Sequence, residues 1–137
     1  MQTTHKQIEP TDTRSSADEF VKVREILEAG LDQPGVPINI LDIQHGLAKG
    51  AYQLWVGERS AMITMILDHD QGARTIQAFL AGGDMKELLG MAVDIEEWGR
   101  EHGCTRAEVS SGREGWGQTL LKHGFEKLCT VFWKDLT

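Results

Sequence analysis

The sequence predicts an α+β fold, with a mixed, mainly antiparallel twisted sheet, a parallel central pair of strands and about four helices around it. Apolar residues alternate with a period of two over residues 51–80, interrupted by turn-forming residues at 57–60 and 70–73, which is typical of an antiparallel meander. A long helical pattern then separates two strand patterns, and a strand, helix, strand order joins parallel neighbours. Because the 40% apolar content is enough to fill one core, we expect a single domain over residues 1–137.

Two helical patterns precede the meander. A short edge strand is expected at residues 8–11. Ser16 is a predicted N-cap, and apolar residues recur at helical spacing over residues 17–29, where Gly30 is expected to stop the helix. A second helix is expected over residues 39–48. The three meander strands are predicted at residues 51–56, 61–69 and 74–80.

Beyond the meander the pattern returns to helix. Asp84 is a predicted N-cap with Glu87 three residues later, and an apolar stripe continues to Gly103, a C-terminal stop. The remaining predicted elements are a strand at 105–109, a short helix at 113–123 and a last strand at 125–133.

Composition excludes several classes of function. A net charge of −7 and a pI near 5.2 argue against general nucleic-acid binding, which needs clustered Lys and Arg. The longest apolar run, residues 61–67, is too short to cross a membrane, and the polar N-terminus does not resemble a signal peptide. We therefore expect a soluble cytoplasmic protein without membrane contact.

The potential metal ligands do not form a recognisable set. The five histidines are scattered, and no two of them have the i, i+4 spacing that places two ligands on one helix face. Cys104 and Cys129 lie in strand-like segments, so we expect two reduced, buried thiols. No metal site is predicted.

Two motifs connect this order of elements to a known superfamily. Gly82 and Gly83 precede the long helix, and residues 120–125 (Leu-Leu-Lys-His-Gly-Phe) end the short helix in Gly-Phe. On these motifs the chain resembles the GNAT (Gcn5-related N-acetyltransferase) superfamily over nearly its whole length. Residues 112–116 (Gly-Arg-Glu-Gly-Trp) are similar to the short GNAT-like proteins of tailed bacteriophages, some of which are virion-associated without a demonstrated transferase role.

The resemblance implies an acyl-CoA-dependent N-acetyltransferase that acts on a small amine or a protein amine by direct transfer. In the family, acetyl-CoA lies in a V-shaped gap between the two parallel strands, with its pyrophosphate on backbone N–H groups at the start of the long helix. Arg113 would bind the anionic end of the cofactor or a carboxylate, with an exposed position at the start of the short helix as the alternative. The cofactor-binding residues implied in this way are Leu80, Ala81, Gly82, Gly83, Asp84, Met85, Arg113 and Trp116.

The resemblance also suggests which residues carry the chemistry. Glu108 is the only carboxylate in the predicted strand after the long helix and is a candidate general base, with an exposed sheet position as the alternative. Ser110 would orient a water or the substrate amide, with helix capping as the alternative.

The sequence departs from the family pattern in three places. The usual Gln/Arg-x-x-Gly-x-Gly/Ala loop is not matched in either register, and Asp84, an ordinary N-cap, places a negative charge where the pyrophosphate would bind. Leu120 stands where the family commonly has a Tyr acid. Trp116 replaces a small residue beside the cofactor arm, so that its indole would fill that slot. These departures leave open an alternative, a catalytically inactive GNAT-like phage protein that acts as a virion-associated or protein-binding module.

The chain end suggests an assembly. Family members often close with a two-strand hairpin, whereas here residues 130–137 leave room for one long strand or for two very short ones. A shortened sheet edge is completed by a partner chain, so we expect a homodimer through this strand or a larger virion assembly. The location would be the host cytoplasm for a phage-encoded enzyme and the virion in the alternative.

Overall fold

The computed structural model describes residues 10, 17–32, 36–110 and 116–137. Within these residues it contains four helices and four strands, which confirms the predicted α+β class and the expected number of helices. In chain order they are α1 (Ala17–Leu31), α2 (Ile40–Ala48), β1 (Tyr52–Val56), β2 (Ala61–Asp68), β3 (Arg74–Gly82), α3 (Met85–Glu101), β4 (Arg106–Val109) and α4 (Trp116–Lys122).

The sheet is mixed, in the order β1-β2-β3-β4. The first three strands pair antiparallel as the predicted meander, and α3 connects β3 to its parallel neighbour β4. Among the described residues β4 is the last strand of the sheet, because the segment predicted to add a further strand does not do so.

A β-bulge interrupts β3. Ile63 of β2 pairs with Leu80 and the next residue, Thr64, pairs with Ala78, so Phe79 is an extra residue in β3. The parallel pairing of β3 with β4 ends at Ala78, opposite Val109. The bulge therefore begins where the two strands separate.

Two apolar clusters lie on opposite faces of the sheet. Neighbouring strand residues point to opposite faces, and accordingly Leu54 packs in the cluster under α1 and α2, whereas Trp55 packs in the cluster under α3. The buried Trp55 indole donates to Thr64 Oγ1 at 2.9 Å, and that hydroxyl donates to Gln53 Oε1 at 2.8 Å. These two hydrogen bonds give the Trp55 N–H and the Thr64 hydroxyl their partners beside the cluster under α3.

The ends of the first helices follow local chemistry. Asn39 caps α2, since its side chain accepts from the backbone of Leu41 and Asp42 and the Asp42 carboxylate accepts from the Asn39 N–H. The predicted stop at Gly30 is wrong, because α1 continues to Leu31. A Cβ at Gly30 would lie 2.8 Å from Leu80 Cδ1, so this glycine permits close packing of α1 on β3.

Two N-terminal predictions lie outside the described residues. Ser16 is one of them, and of the predicted edge strand at residues 8–11 the structure describes Pro10 alone, which is not in a strand. None of the described helices is long and apolar enough to span a membrane.

The predicted last strand at residues 125–133 is wrong. Residues 125–137 form neither helix nor strand, and every side chain from 126 to 137 is exposed, including Cys129, for which burial was expected. The alternation of apolar, aromatic and β-branched residues is typical of a strand, but a strand also needs a neighbour with which to exchange backbone hydrogen bonds, and this segment pairs with none of the described strands. Five large apolar side chains are therefore left in solvent: Leu128, Val131, Phe132, Trp133 and Leu136.

Candidate functional site

The separation of β3 from β4 opens a gap at one end of the sheet. The last backbone bond across the pair joins the Ser110 N–H to the Ala78 carbonyl at 2.9 Å. Beyond it β3 continues through residues 79–82, of which residues 80–82 pair with β2 on one side, and no described strand lies on the other side. An extended strand edge of this kind has free backbone donors and acceptors for a ligand that carries amide groups.

An apolar cavity lies beside this gap, between the sheet and helices α3 and α4. Its volume is about 60 Å³, which is room for a few water molecules or a short acyl group. The lining residues are Met62, Ile76, Ala78, Leu80, Ala81, Met85, Leu88, Leu89, Ala92, Ile95, Glu96, Ala107, Glu108, Val109, Trp116, Leu120 and Phe125.

The cavity brings together five of the predicted site residues, Leu80, Ala81, Met85, Glu108 and Trp116. Leu80 and Ala81 belong to β3 rather than to a loop, because the strand predicted to end at residue 80 continues to residue 82. Trp116 is half-buried against the cluster under α3, so its indole forms part of the cavity wall.

The other predicted site residues are placed differently. Gly82, Gly83 and Asp84 do not line the cavity. Ser110 is exposed at the end of β4, and its N–H is used by the sheet. Arg113 lies outside the described residues.

Glu108 has two polar partners. One carboxylate oxygen is 3.1 Å from Arg106 Nε, and the other accepts from Gln77 Nε2 at 3.5 Å. Gln77 lies opposite Glu108 in the parallel register, and the Glu108 side chain retains 24% of its exposure. The carboxylate is thus oriented by neighbours while part of it stays accessible, which suits a group that accepts a proton from a bound molecule.

A second carboxylate lines the cavity that the sequence analysis missed. Glu96 is half-buried on α3, and its helical spacing from Leu89 and Ala92 places it on the same face. That spacing was the available signal, but a Glu at the margin of an apolar helix stripe is commonly solvent-facing.

Contacts within the chain use part of the α3 start. Ser60 Oγ accepts from the Asp84 N–H at 3.0 Å and donates to the Asp84 carbonyl at 3.3 Å. The Asp84 carboxylate accepts from the Glu87 N–H at 3.3 Å, which confirms the predicted N-cap. The Glu87 carboxylate accepts from the Arg59 N–H at 3.0 Å and ties the β1–β2 turn to the helix. Two backbone donors that an anion would need are therefore already used.

Packing accounts for the glycine pair. A Cβ at Gly82 would lie 2.8 Å from Ile26 Cγ2 of α1. Gly83 has φ +109, and a Cβ there would overlap the Arg59 carbonyl oxygen and lie 2.6 Å from Ser60 Cα. Both positions need glycine for the tight turn and the close approach of neighbouring elements.

Other nucleophiles and ligands are few in the described part of the chain. Cys104 is buried, and its desolvation raises the pKa of the thiol above its ordinary value, which makes it a poor nucleophile. Within the described ranges no three His, Cys, Asp or Glu side chains cluster as a metal site.

Comparisons with known proteins identify the fold. No protein-family model and no curated protein matches the sequence. Among solved structures, the ribosomal-protein-alanine N-acetyltransferase of Brucella melitensis biovar Abortus 2308 is 13% identical, with a TM-score of 0.67 over 95% of this chain and 99% of that one. An aminoglycoside 6′-N-acetyltransferase of Acinetobacter haemolyticus is 11% identical, with a TM-score of 0.62 over 96% and 99%.

A third structure was solved with a ligand. A predicted acetyltransferase from Clostridium acetobutylicum, determined with acetyl-CoA, is 15% identical, with a TM-score of 0.61 over 95% of this chain and 94% of that one. At sequence identities this low, the structural similarity shows a shared backbone fold and nothing more. The chain has the fold of the GNAT acetyltransferases.

Proposed function

We propose that the protein is an acyl-CoA-dependent N-acetyltransferase that acts on a small amine or a protein amine by direct transfer. The observation that carries the proposal is the gap between β3 and β4, with its bulge at Phe79, its free strand edge at residues 79–82 and the apolar cavity beside it. A fold alone does not determine a reaction, so the argument rests on this site.

The residues of the gap fit the acyl-pantetheine arm of acetyl-CoA. The free edge of β3 offers backbone groups to the amides of an extended arm, as a strand edge does for a peptide. Leu80, Ala81 and Leu88 supply apolar walls that exclude water from the reacting carbonyl. Acetyl-CoA, when bound, supplies the activated acyl group.

The start of α3 fits the pyrophosphate poorly. The Asp84 carboxylate repels an anion, and the N–H groups of Asp84 and Glu87 already have partners within the chain. We therefore expect the arm to contribute more of the binding free energy than the phosphates do, and the affinity to be modest.

Glu108 is the proposed proton acceptor. Its carboxylate is oriented by Arg106 and Gln77 and reaches the cavity, where it would take the proton of the attacking amine directly or through water. Leu120 has no proton to give, so solvent protonates the departing thiolate.

The first test is ligand binding. Acetyl-CoA is titrated by calorimetry and by thermal unfolding, and a hundredfold excess over Kd should stabilise the protein by about 2.7 kcal/mol. The absence of binding at millimolar acetyl-CoA would overturn the proposal.

The second test separates the carboxylates. Glu108→Gln should lower the transfer rate by about 10²-fold or more while leaving the acetyl-CoA affinity unchanged. Glu96→Gln tests the other carboxylate of the cavity, and the exposed Glu97→Gln is the matched control on α3. A full rate in Glu108→Gln would remove Glu108 as the base, and a loss confined to Glu96→Gln would assign the role to Glu96.

A second candidate function has its own supporting observation. The internally bonded α3 start, with Asp84 at its head, favours a GNAT-like module that has lost cofactor chemistry and acts as a virion-associated or protein-binding component of a phage. This candidate expects no binding of acetyl-CoA together with recovery of the chain from purified particles by mass spectrometry. A monodisperse monomer absent from such particles would count against it.

A further inference from the structure

We propose that residues 126–137 of one copy pair with the β4 edge of a second copy, and that the second copy returns the same exchange. The product is a twofold-symmetric dimer in which each sheet gains a strand from its partner. This inference does not depend on the proposed acetyltransferase activity.

The acceptor is the outer edge of β4. In the described part of the chain β4 has a strand neighbour on one side only, which leaves the backbone groups of its other side available for pairing. The helix next to this edge is also incompletely covered, since α4 contains no buried residue and Leu121 is 57% exposed. A strand added at β4 would extend the surface against which α4 packs.

The donor is the exposed segment of residues 126–137. The side chains of Phe132 and Leu136 are 89% and 90% exposed, whereas large apolar side chains are usually buried in a folded protein. The segment is rich in residues that favour strands and has no Gly or Pro on which a hairpin would turn. It is therefore suited to one continuous strand, and its residues would span roughly 40 Å at about 3.3 Å each.

The geometry after α4 directs this segment away from its own sheet. The helix ends at Lys122 in a closed turn, in which the N–H groups of His123 and Phe125 both bond to the Leu120 carbonyl, at 3.0 and 3.1 Å, and Gly124 has φ +89. Phe125 lines the cavity and anchors the turn. From residue 126 onward every side chain is exposed, so the segment does not lie on its own β4.

A second copy is the partner that satisfies both surfaces at once. Of the two outer strands of the described sheet, β1 and β4, the segment follows the helix beside β4, and a twofold exchange pairs both the β4 edge and the segment in each copy. A different protein that covered β4 would leave the segment in solvent, and one that covered the segment would leave β4 open.

The first experiment measures mass in solution. Light scattering behind size-exclusion chromatography should give twice the chain mass of 15.3 kDa. The double variant Leu128→Asp/Phe132→Asp should be monomeric, because charged side chains would enter the interface. The matched control Val21→Asp/Leu41→Asp changes apolar residues that are also exposed, at 69% and 65%, but lie on α1 and α2, and it should remain dimeric.

The second experiment tests the exchange itself. Arg106→Cys places a thiol on β4, and a short bismaleimide links it to the native, exposed Cys129. If the segments are exchanged, the cross-linked protein runs at twice the chain mass under denaturing conditions, and its digest contains a peptide that joins residue 106 to residue 129. If that peptide comes from protein of single-chain mass, the segment folds back on its own β4 and the proposal is overturned. A monomeric wild type, or a dimer that persists in Leu128→Asp/Phe132→Asp, also overturns it.

Discussion

Replacing Asp84 tests whether its carboxylate opposes phosphate binding at the start of α3. The side chain is exposed, accepts from the Glu87 N–H at 3.3 Å and carries a full negative charge at the positive end of the helix. Asp84→Asn removes the charge and keeps an oxygen for the cap, whereas Asp84→Ala removes both. The two variants separate the structural role of the residue from its electrostatic effect.

The effect on stability is small and ordered. Asn caps helices about as well as Asp, so Asp84→Asn should lose only the interaction of the charge with the helix dipole, about 0.3–1 kcal/mol. Asp84→Ala should lower the free energy of unfolding by about 0.5–2 kcal/mol. Urea unfolding followed by circular dichroism measures both values, and the bonds from Ser60 to the Asp84 backbone should keep either variant folded.

The effect on cofactor affinity is larger and opposite in sign. Two unit charges about 4 Å apart interact by about 1 kcal/mol in water, and a pyrophosphate presents two charges, so the Asp84 carboxylate should cost about 1–2 kcal/mol of binding. Asp84→Asn should therefore bind CoA about 5–30-fold more tightly in calorimetry at low salt, and the gain should shrink as salt is added.

The control is Asp70→Asn in the β2–β3 turn, at the opposite end of β3 from α3. It removes one negative charge from the protein without changing the helix start. If Asp84→Asn and Asp70→Asn bind CoA equally well, the carboxylate does not face the phosphates and the electrostatic reasoning is refuted.

Two further predictions concern the glycine turn and the cysteines. Gly83→Ala should destabilise the protein by about 2 kcal/mol or more in urea unfolding, because the new Cβ meets both a positive φ and a backbone overlap. Gly72→Ala is the control and should cost about 1 kcal/mol, since Gly72 has φ +86 but open space around it. Equal costs of the two substitutions would contradict the packing role of Gly83. Iodoacetamide should label Cys129 in the folded protein well before Cys104. The raised pKa of Cys104 means less thiolate at any given pH, so its labelling should begin only at higher pH or on unfolding, and simultaneous labelling of both thiols near neutral pH would contradict the burial.

Local chemistry allowed much of the fold to be predicted. The cap at Asp84 and the period-two meander depend on residues close together in the chain, and both appear in the structure. Gly30 was misread because a glycine that ends a helix and a glycine that lets a helix approach a strand look alike in sequence. The contact that distinguishes them is with Leu80, far along the chain.

The site was harder to predict for the same reason. The bulge at Phe79 arises from the register between two strands, and no local sequence signal marks it. In a capping box the Glu87 carboxylate would accept from the Asp84 N–H. It accepts from the Arg59 backbone N–H instead, because the β1–β2 turn folds onto the helix. The prediction of a strand at residues 125–133 was wrong because the sequence of a segment does not show whether a neighbouring strand is available to pair with it.

The two apolar clusters on opposite faces of the sheet divide mutational tolerance within this small protein. Of the buried residues packed under α1 and α2, Leu80 is the one that also lines the cavity, whereas the cavity wall draws heavily on the cluster under α3. Substitutions under α1 and α2 therefore change the free energy of unfolding with little effect on which ligands the cavity binds. Substitutions on the α3 face change the ligand specificity of the cavity, and the protein tolerates them as long as the packing on the opposite face keeps it stably folded.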